Sequence, residues 1–228
     1  CMKVLVAGGT GFIGSSLCRA LADGGHDVTA LSRSGGETPD GVDVATGDVT
    51  DRDSIAGAVE GQDAVVNLVA LSPLFEPKGG NVMHDRIHRG GTENLVDAAE
   101  AANVEGFLQL SALGADTDGD TAYIRAKGQA EEIVRESGLD WTIFRPSVVF
   151  GDGGEFVSFT TRLKGMFAPG VPLYPLPGGG KTRFQPIHAE DLIPMLVAAL
   201  EGDEHVGETY ELGGPETLTL RQVTHLLH

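Results

Sequence analysis

Three stretches of this sequence combine residue types at spacings that can do chemistry. The first is Gly8-Gly9-Thr10-Gly11-Phe12-Ile13-Gly14, set between an apolar run, Lys3–Ala7, and a segment of helical periodicity, Phe12–Ala22. A glycine turn that ends a strand and opens a helix cradles phosphate, because unpaired N–H groups and the positive end of the helix dipole face the anion. Gly8 permits the tight turn, Gly11 lets the backbone approach a pyrophosphate, and Gly14 lets the helix lie close on the strand. Thr10, Phe12 and Ile13 belong to the same turn and are assigned with Gly8, Gly11 and Gly14 to a dinucleotide site.

The second stretch decides which dinucleotide. Sites that select NAD carry an acidic residue about 20 positions after the glycines, where it bonds the ribose 2′-OH. Here the sequence reads Leu31-Ser32-Arg33-Ser34. Ser32 leaves room and Arg33 can meet a 2′-phosphate with a charge-assisted pair, so NADP(H) is preferred and NAD(H) stays possible. Asp48 and Val49, after the third predicted strand, face the adenine edge in this reading, although Asp48 also suits a helix cap. Ala70, at the end of the fourth, completes the cofactor wall.

The third stretch is Tyr123-Ile124-Arg125-Ala126-Lys127. A spacing of i, i+4 puts phenol and ammonium on one helix face. A tyrosine with a pKa of about 10 is a poor base at neutral pH, and a nearby ammonium lowers that value. Ser111, twelve residues before Tyr123 and ending a predicted strand, can hold a carbonyl or alcohol oxygen. Ser111, Tyr123 and Lys127 therefore form the candidate set for proton transfer, and they also border the cofactor. A surface Tyr beside a Lys is the bland alternative.

The elements that must position these residues alternate. Strands are expected at Lys3–Ala7, Asp27–Leu31, Val42–Ala45, Asp63–Ala70, Gly106–Ser111 and Trp141–Arg145. Helices are expected at Phe12–Ala22, Asp51–Glu60, His84–Ala102 and Tyr123–Ser137. That order predicts an α/β fold, a doubly wound parallel sheet of the Rossmann kind. Residues 1–150 are read as the NAD(P)-binding domain. Residues 151–228 supply the remaining sheet elements and a small C-terminal, substrate-side lobe. They include a Pro/Gly-rich loop over Phe167–Thr182, a strand Arg183–Ile187, a helix Glu190–Leu200, a strand Thr209–Leu212 and a helix from about Thr219. Because that last helix meets no stop signal, the natural chain is expected to continue past His228; Met2 reads as its natural start.

Composition narrows the partners. The 228 residues carry 33 Asp plus Glu against 16 Lys plus Arg, a net charge of −17, and only five of the basic residues are lysines. So negative a surface repels phosphodiesters, and no polybasic segment is present for anionic membranes. Nucleic acid is excluded as a partner, membrane insertion is not expected, and a small-molecule substrate is. An acid-rich, Lys-poor surface is the kind that stays hydrated in high salt, so a halophilic origin is expected. With two cysteines there is no disulfide framework, and the expected compartment is the cytoplasm. No metal site is expected: the seven histidines lack ligand spacing, and His188 beside Glu190 and Asp191 reads as a helix start. Gly180-Lys181-Thr182 imitates a phosphate loop, but Pro175 stands where its first glycine belongs.

Taken together, GGTGFIG, the Ser111/Tyr123/Lys127 set, Gly91-Thr92-Glu93-Asn94-Leu95 and Phe144–Gly151 (FRPSVVFG) resemble the short-chain dehydrogenase/reductases. The extended or atypical branch, with its NAD-dependent epimerase/dehydratases, is the most similar. Gln185–Asp191 (QPIHAED) and Tyr210–Pro215 (YELGGP) resemble the NAD(P)H-binding accessory subunit of respiratory complex I and its free-standing prokaryotic relatives. The resemblance implies Tyr123 as proton donor or acceptor, Lys127 on the nicotinamide ribose, Ser111 on the substrate, and Pro146 and Val148 lining the nicotinamide pocket. It also implies a possible homodimer through the helices near His84–Ala102 and Tyr123–Ser137. Many extended members place Asn where this sequence has His88, and the short interval from Ser111 to Tyr123 argues against nucleotide-sugar epimerisation. Three activities stay open: NADP(H)-dependent hydride transfer to or from a carbonyl or alcohol, NADP(H) binding without turnover, and nucleotide-sugar epimerisation or dehydration.

Overall fold

Strand β1 (Lys3–Ala7) is buried from Val4 to Ala7, as a strand covered on both faces must be. In the computed structural model, which describes residues 1–73, 76–151, 183–213 and 218–219, β1 is an interior strand of a seven-stranded sheet. The others are β2 (Asp27–Ser32), β3 (Val42–Thr46), β4 (Ala64–Asn67), β5 (Gly106–Leu110), β6 (Asp140–Pro146) and β10 (Glu208–Leu212). Their order is β3-β2-β1-β4-β5-β6-β10, parallel throughout. Ala7 stands opposite Leu31 of β2 on one side and Asn67 of β4 on the other, so the strand order reverses at β1. In such sheets ligands bind beyond the carboxyl ends at that reversal.

Neighbouring residues of each strand feed opposite layers. Leu5, Phe107 and Ile143 pack with Ile55, Leu95 and Val134, which belong to helices α2 (Arg52–Val59), α4 (Gly91–Ala101) and α5 (Ala122–Glu136). Val4, Val6, Leu108 and Phe144 pack on the other side with Leu17 and Leu21 of α1 (Phe12–Asp23) and Leu192 and Leu196 of α6 (Ala189–Glu201). The doubly wound sheet is therefore present, with β10 as its outermost strand beside β6.

Several boundaries differ from the sequence reading, each for a local reason. The fourth strand stops at Asn67 rather than running on to Ala70, because Asn67 Oδ1 accepts the Val69 N–H and turns the chain out of the ladder. The helix expected from His84 to Ala102 is three pieces: a turn α3 (Val82–His84), a π-helix (Asp85–Gly90) and α4. The strand expected at Arg183–Ile187 is split into β8 (Arg183–Phe184) and β9 (Ile187–His188) around Pro186, pairing respectively with β11 (Leu218–Thr219) and β7 (Val149–Phe150). Thr219 is thus in a strand, and the helix expected beyond it lies outside the described residues, as does the Phe167–Thr182 loop. His188 caps α6, its Nδ1 accepting the Glu190 N–H at 3.0 Å. Among the described residues no helix is long and apolar enough to cross a membrane.

The loop between β5 and α5 must bring Ser111 and Tyr123 to the same edge, and it does so by lying directly on the helix. A Cβ at Gly128 would overlap the backbone of Asp116 and Thr117, and Thr121 closes the loop by capping α5 through Ile124 N at 3.2 Å. Gly128→Ala is therefore expected to cost about 1–3 kcal/mol in urea unfolding. Gly57→Ala, in α2 with open space around it, should instead stabilise by about 0.5–1 kcal/mol.

Candidate cofactor and catalytic site

The glycine turn is built by backbone contact. Gly8 has φ +80°, which favours glycine, and its N–H donates to Leu31 O at 2.9 Å. A Cβ at Gly14 would overlap Gly8 O, so the first turn of α1 rests on the end of β1 with nothing between them. The sequence reading omitted Gly9, whose Cβ would lie 2.6 Å from that of Ala30 on β2. Gly11 caps α1 without a side-chain bond, and the first bond closing the helix runs from Ser15 N to Gly11 O. The N–H groups of Phe12, Ile13 and Gly14 precede it and stand at the helix mouth.

Beside this turn, at the carboxyl ends of β1, β2 and β4, is a cavity of about 310 Å³. Its walls hold eight of the residues assigned to the cofactor: Gly8, Thr10, Gly11, Ser32, Arg33, Asp48, Val49 and Ala70. A glycine-only cradle, open helix N–H groups and a cationic wall fit a dinucleotide. Ser32 spends its hydroxyl on Gly35 O at 2.6 Å, and Arg33 is the cationic side chain of the wall at the end of β2. Burial works to raise the Asp48 pKa, but bonds from Thr50 N and Oγ1 at 2.9 and 2.8 Å, with Arg33 and Arg86 nearby, hold its carboxylate below the usual range. Val49 is clamped from α4: Asn94 Nδ2 donates to Val49 O at 2.7 Å, and a Cβ at Gly91 would lie 2.8 Å from Val49 Cγ2.

The catalytic candidates stand farther along the same edge. Ser111 and Lys127 are buried and Tyr123 is half-buried. Lys127 Nζ lies 5.8 Å from the Tyr123 ring centroid and donates to Leu110 O at 3.2 Å. Burial lowers its pKa from 10.5 to about 8, against the opposing pull of Glu131. Ser111 Oγ faces the Glu131 carboxylate without closing an ordinary hydrogen bond to it. Pro146 is buried at the end of β6, and Val148 is half-buried next to β9, accepting the Ile187 N–H at 2.8 Å. Phe12, Ile13, Gly14, Ser111, Tyr123, Lys127, Pro146 and Val148 are not in the wall of the 310 Å³ cavity, whereas Tyr123 lines a second one with His84.

Composition and spacing did not point to the histidines around Tyr123. His84 and His88 stack with centroids 5.6 Å apart, and the Tyr123 ring stands edge-on to both, at 5.6 and 5.3 Å. His88 Nε2 accepts the Leu71 N–H at 3.3 Å, which puts the proton of the neutral ring on Nδ1. Burial, with Lys127 and His84 beside it, lowers the His88 pKa to about 2. Burial and Lys127 also lower that of His84. Underneath, Asn67, Thr92 and Gln109 form a closed buried network. Asn67 Nδ2 donates to Thr92 Oγ1 and Gln109 Oε1 at 3.1 and 3.0 Å, and Thr92 Oγ1 donates to His88 O at 2.6 Å.

Comparison with known proteins places this geometry among relatives. Residues 8–165 match a protein family described as NAD(P)H-binding. Over 233 residues the chain is 30% identical to subunit 9 of the NADH dehydrogenase (ubiquinone) 1 alpha subcomplex of Arabidopsis thaliana mitochondria, covering 98% of this chain and 56% of that one. It is also 30% identical to a 3-diazoavenalumate denitrifying reductase of a Streptomyces species, covering 89% and 73%. Among solved structures, a double mutant of a dTDP-glucose 4,6-dehydratase from Streptomyces venezuelae, holding NAD, shares the fold. Its TM-score is 0.83 at 24% identity over 99% of this chain and 80% of that one.

A neutral His88 has a measurable signature. Below pH 6.5 the unfolded chain takes up a proton that the folded protein refuses, so stability falls as pH falls, by up to about 1.4 kcal/mol per pH unit from this residue. His84 adds in the same direction. Urea unfolding at pH 7.5, 6.5 and 5.5 is expected to show that fall, and His88→Asn should remove about one proton's worth of slope.

Proposed function

The chain belongs to the NAD(P)H-binding family, and from that premise we propose that it is an NADP(H)-dependent oxidoreductase acting on a carbonyl or alcohol. The observation that carries this reading is the pairing of two features on one sheet edge. One is the cavity beside the glycine turn with Arg33 in its wall; the other is a Tyr123–Lys127 pair backed by a buried Ser111.

In this reading the pyrophosphate is held by the Gly8–Gly14 turn and the first N–H groups of α1, the adenine edge by Asp48 and Val49, and the 2′-phosphate by Arg33. Ala70 and, beyond β6, Pro146 and Val148 flank the nicotinamide end. When bound, the cofactor supplies or accepts the hydride. Ser111 orients the substrate oxygen, and Tyr123 Oη gives that oxygen a proton in the reductive direction and takes it back in the oxidative one. Lys127 favours the phenolate by its charge and bonds the nicotinamide ribose. His84 and His88, their pKa values lowered, pack on the Tyr123 ring and hold its orientation.

A second reading, a protein that holds NADP(H) without turnover, draws on the likeness to the complex I subunit, whose length this chain spans by 56%. The two readings separate experimentally. NADPH and NADH titrations in high salt, followed by nicotinamide fluorescence, should favour NADPH, and Arg33→Asp should abolish the preference. Equal affinities in the wild type would remove the role given to Arg33. In a carbonyl-substrate screen, Tyr123→Phe should keep NADPH affinity and lose about 10²–10⁴-fold in turnover, the usual share of a general acid. A wild type that binds NADPH and reduces nothing would favour the binding-only reading.

A further inference from the structure

Glu131 lies one helical turn beyond Lys127 and two beyond Tyr123 on α5, and it is fully buried. Its carboxylate accepts from Arg145 Nε and Nη2 at 2.8 and 2.6 Å and from Arg135 Nη2 at 2.9 Å. Arg145 belongs to β6, directly before Pro146, and reaches Glu211 of β10 at 3.4 Å. A buried ion pair is weak evidence for stability, because apolar residues of like volume often serve as well. Its position is more telling. Lys127 is faced by Tyr123 and Glu131 from α5, by the Leu110 carbonyl from the end of β5, and by His84 and His88 from α3 and the π-helix. Arg145 comes in from β6 behind Glu131. Both histidines have lowered pKa values, so Glu131 is the anion of this set. It also faces Ser111, and so touches the surroundings of two of the three catalytic candidates.

We propose that Glu131 is a positioning residue for the reaction: its buried carboxylate keeps the Lys127 ammonium charged within the buried helix–sheet layer, and Arg145 and Arg135 set how strongly that charge is felt. Without Glu131, Lys127 loses an attraction and two guanidinium groups are left uncompensated behind it. Both changes favour the neutral amine. Without Arg135, the carboxylate acts on Lys127 less opposed, and the ammonium is favoured. A purely structural tie between α5 and β6, with its charges cancelled before they reach Lys127, predicts no shift in either variant.

The inference rests on the role proposed above for Lys127, but the coupling can be read without cofactor or substrate. The chain has five lysines, so ¹³Cε-lysine NMR of the full protein resolves them, and Lys127→Met identifies the resonance. The wild-type midpoint is expected at about 8. E131Q should lower it by about one pH unit or more. R135Q should raise it by a few tenths of a unit at low salt, being half-exposed and screened. If E131Q is too unstable to titrate, R135Q alone carries the test. A midpoint unmoved in the variants that fold, or moved the same way in both, overturns the proposal. NADPH affinity measured across the same pH range separates the two layers. Affinity flat through both midpoints, with the midpoints displaced as expected, would sink the ribose role of Lys127 and leave the Glu131 coupling standing.

Discussion

No side chain can stand between Gly8 and Gly14, and the rest of the site depends on that contact. Because the start of α1 touches the end of β1 backbone to backbone, the open N–H groups of the helix are delivered to the point where the strand order reverses. Gly9 adds the same demand against Ala30 of β2. A methyl at either position would push the helix away from the sheet. The cavity beside the turn would change shape with it, since Gly8 and Gly11 form one wall and Leu31 to Ser34 another.

A parallel sheet concentrates its chemistry at one edge, but it does not by itself hold strand ends at the right height. Here buried polar groups do so. Asn67 ends β4 and bonds to Gln109 of β5 and Thr92 of α4, all three being fully engaged with one another. Thr92 also takes the carbonyl of His88, the residue through which the π-helix reaches Leu71 and the cofactor side. Wider turns are frequent where a helix carries function. This one places His84 and His88 in a stack against Tyr123. Asn94 and Gly91, in the following helix, fix Val49 from the same base. One helical segment thus braces both Val49 in the cavity wall and the ring of Tyr123.

Charge is arranged against the global balance. A chain of net charge −17 repels anions at long range, yet its carboxyl edge gathers the mouth of α1, Arg33, Arg86 and Lys127. Salt screens the distant acids within about 8 Å at physiological strength, while groups lining a cleft act at contact distance. The cationic groups at that edge therefore set the field at contact distance, whatever the sign of the distant surface.

Fold class and the position of the phosphate turn were legible in the sequence because both are local. Strand–glycine–helix order, alternating strands and helices, and a Tyr–Lys pair one turn apart are properties of short segments, and the sheet order follows from their crossovers. Ser32 and Arg33 could be read for the same reason, as the end of β2 must meet the turn after β1. Contacts between segments distant in sequence were not legible. Nothing near Gly9 in sequence reveals that Ala30 lies against it, and nothing near Glu131 reveals Arg145, which arrives from the next strand. The break of the long helix into a turn, a π-helix and α4 was hidden as well. Hydrophobic period registers which residues face inward, not whether a buried threonine has drawn a carbonyl aside. The sequence by itself determined the fold class and which residues would stand at the carboxyl edge of the sheet. The tertiary structure decided how far Lys127 and His88 depart from their ordinary pKa values, because burial between helix and sheet is the first cause of both shifts.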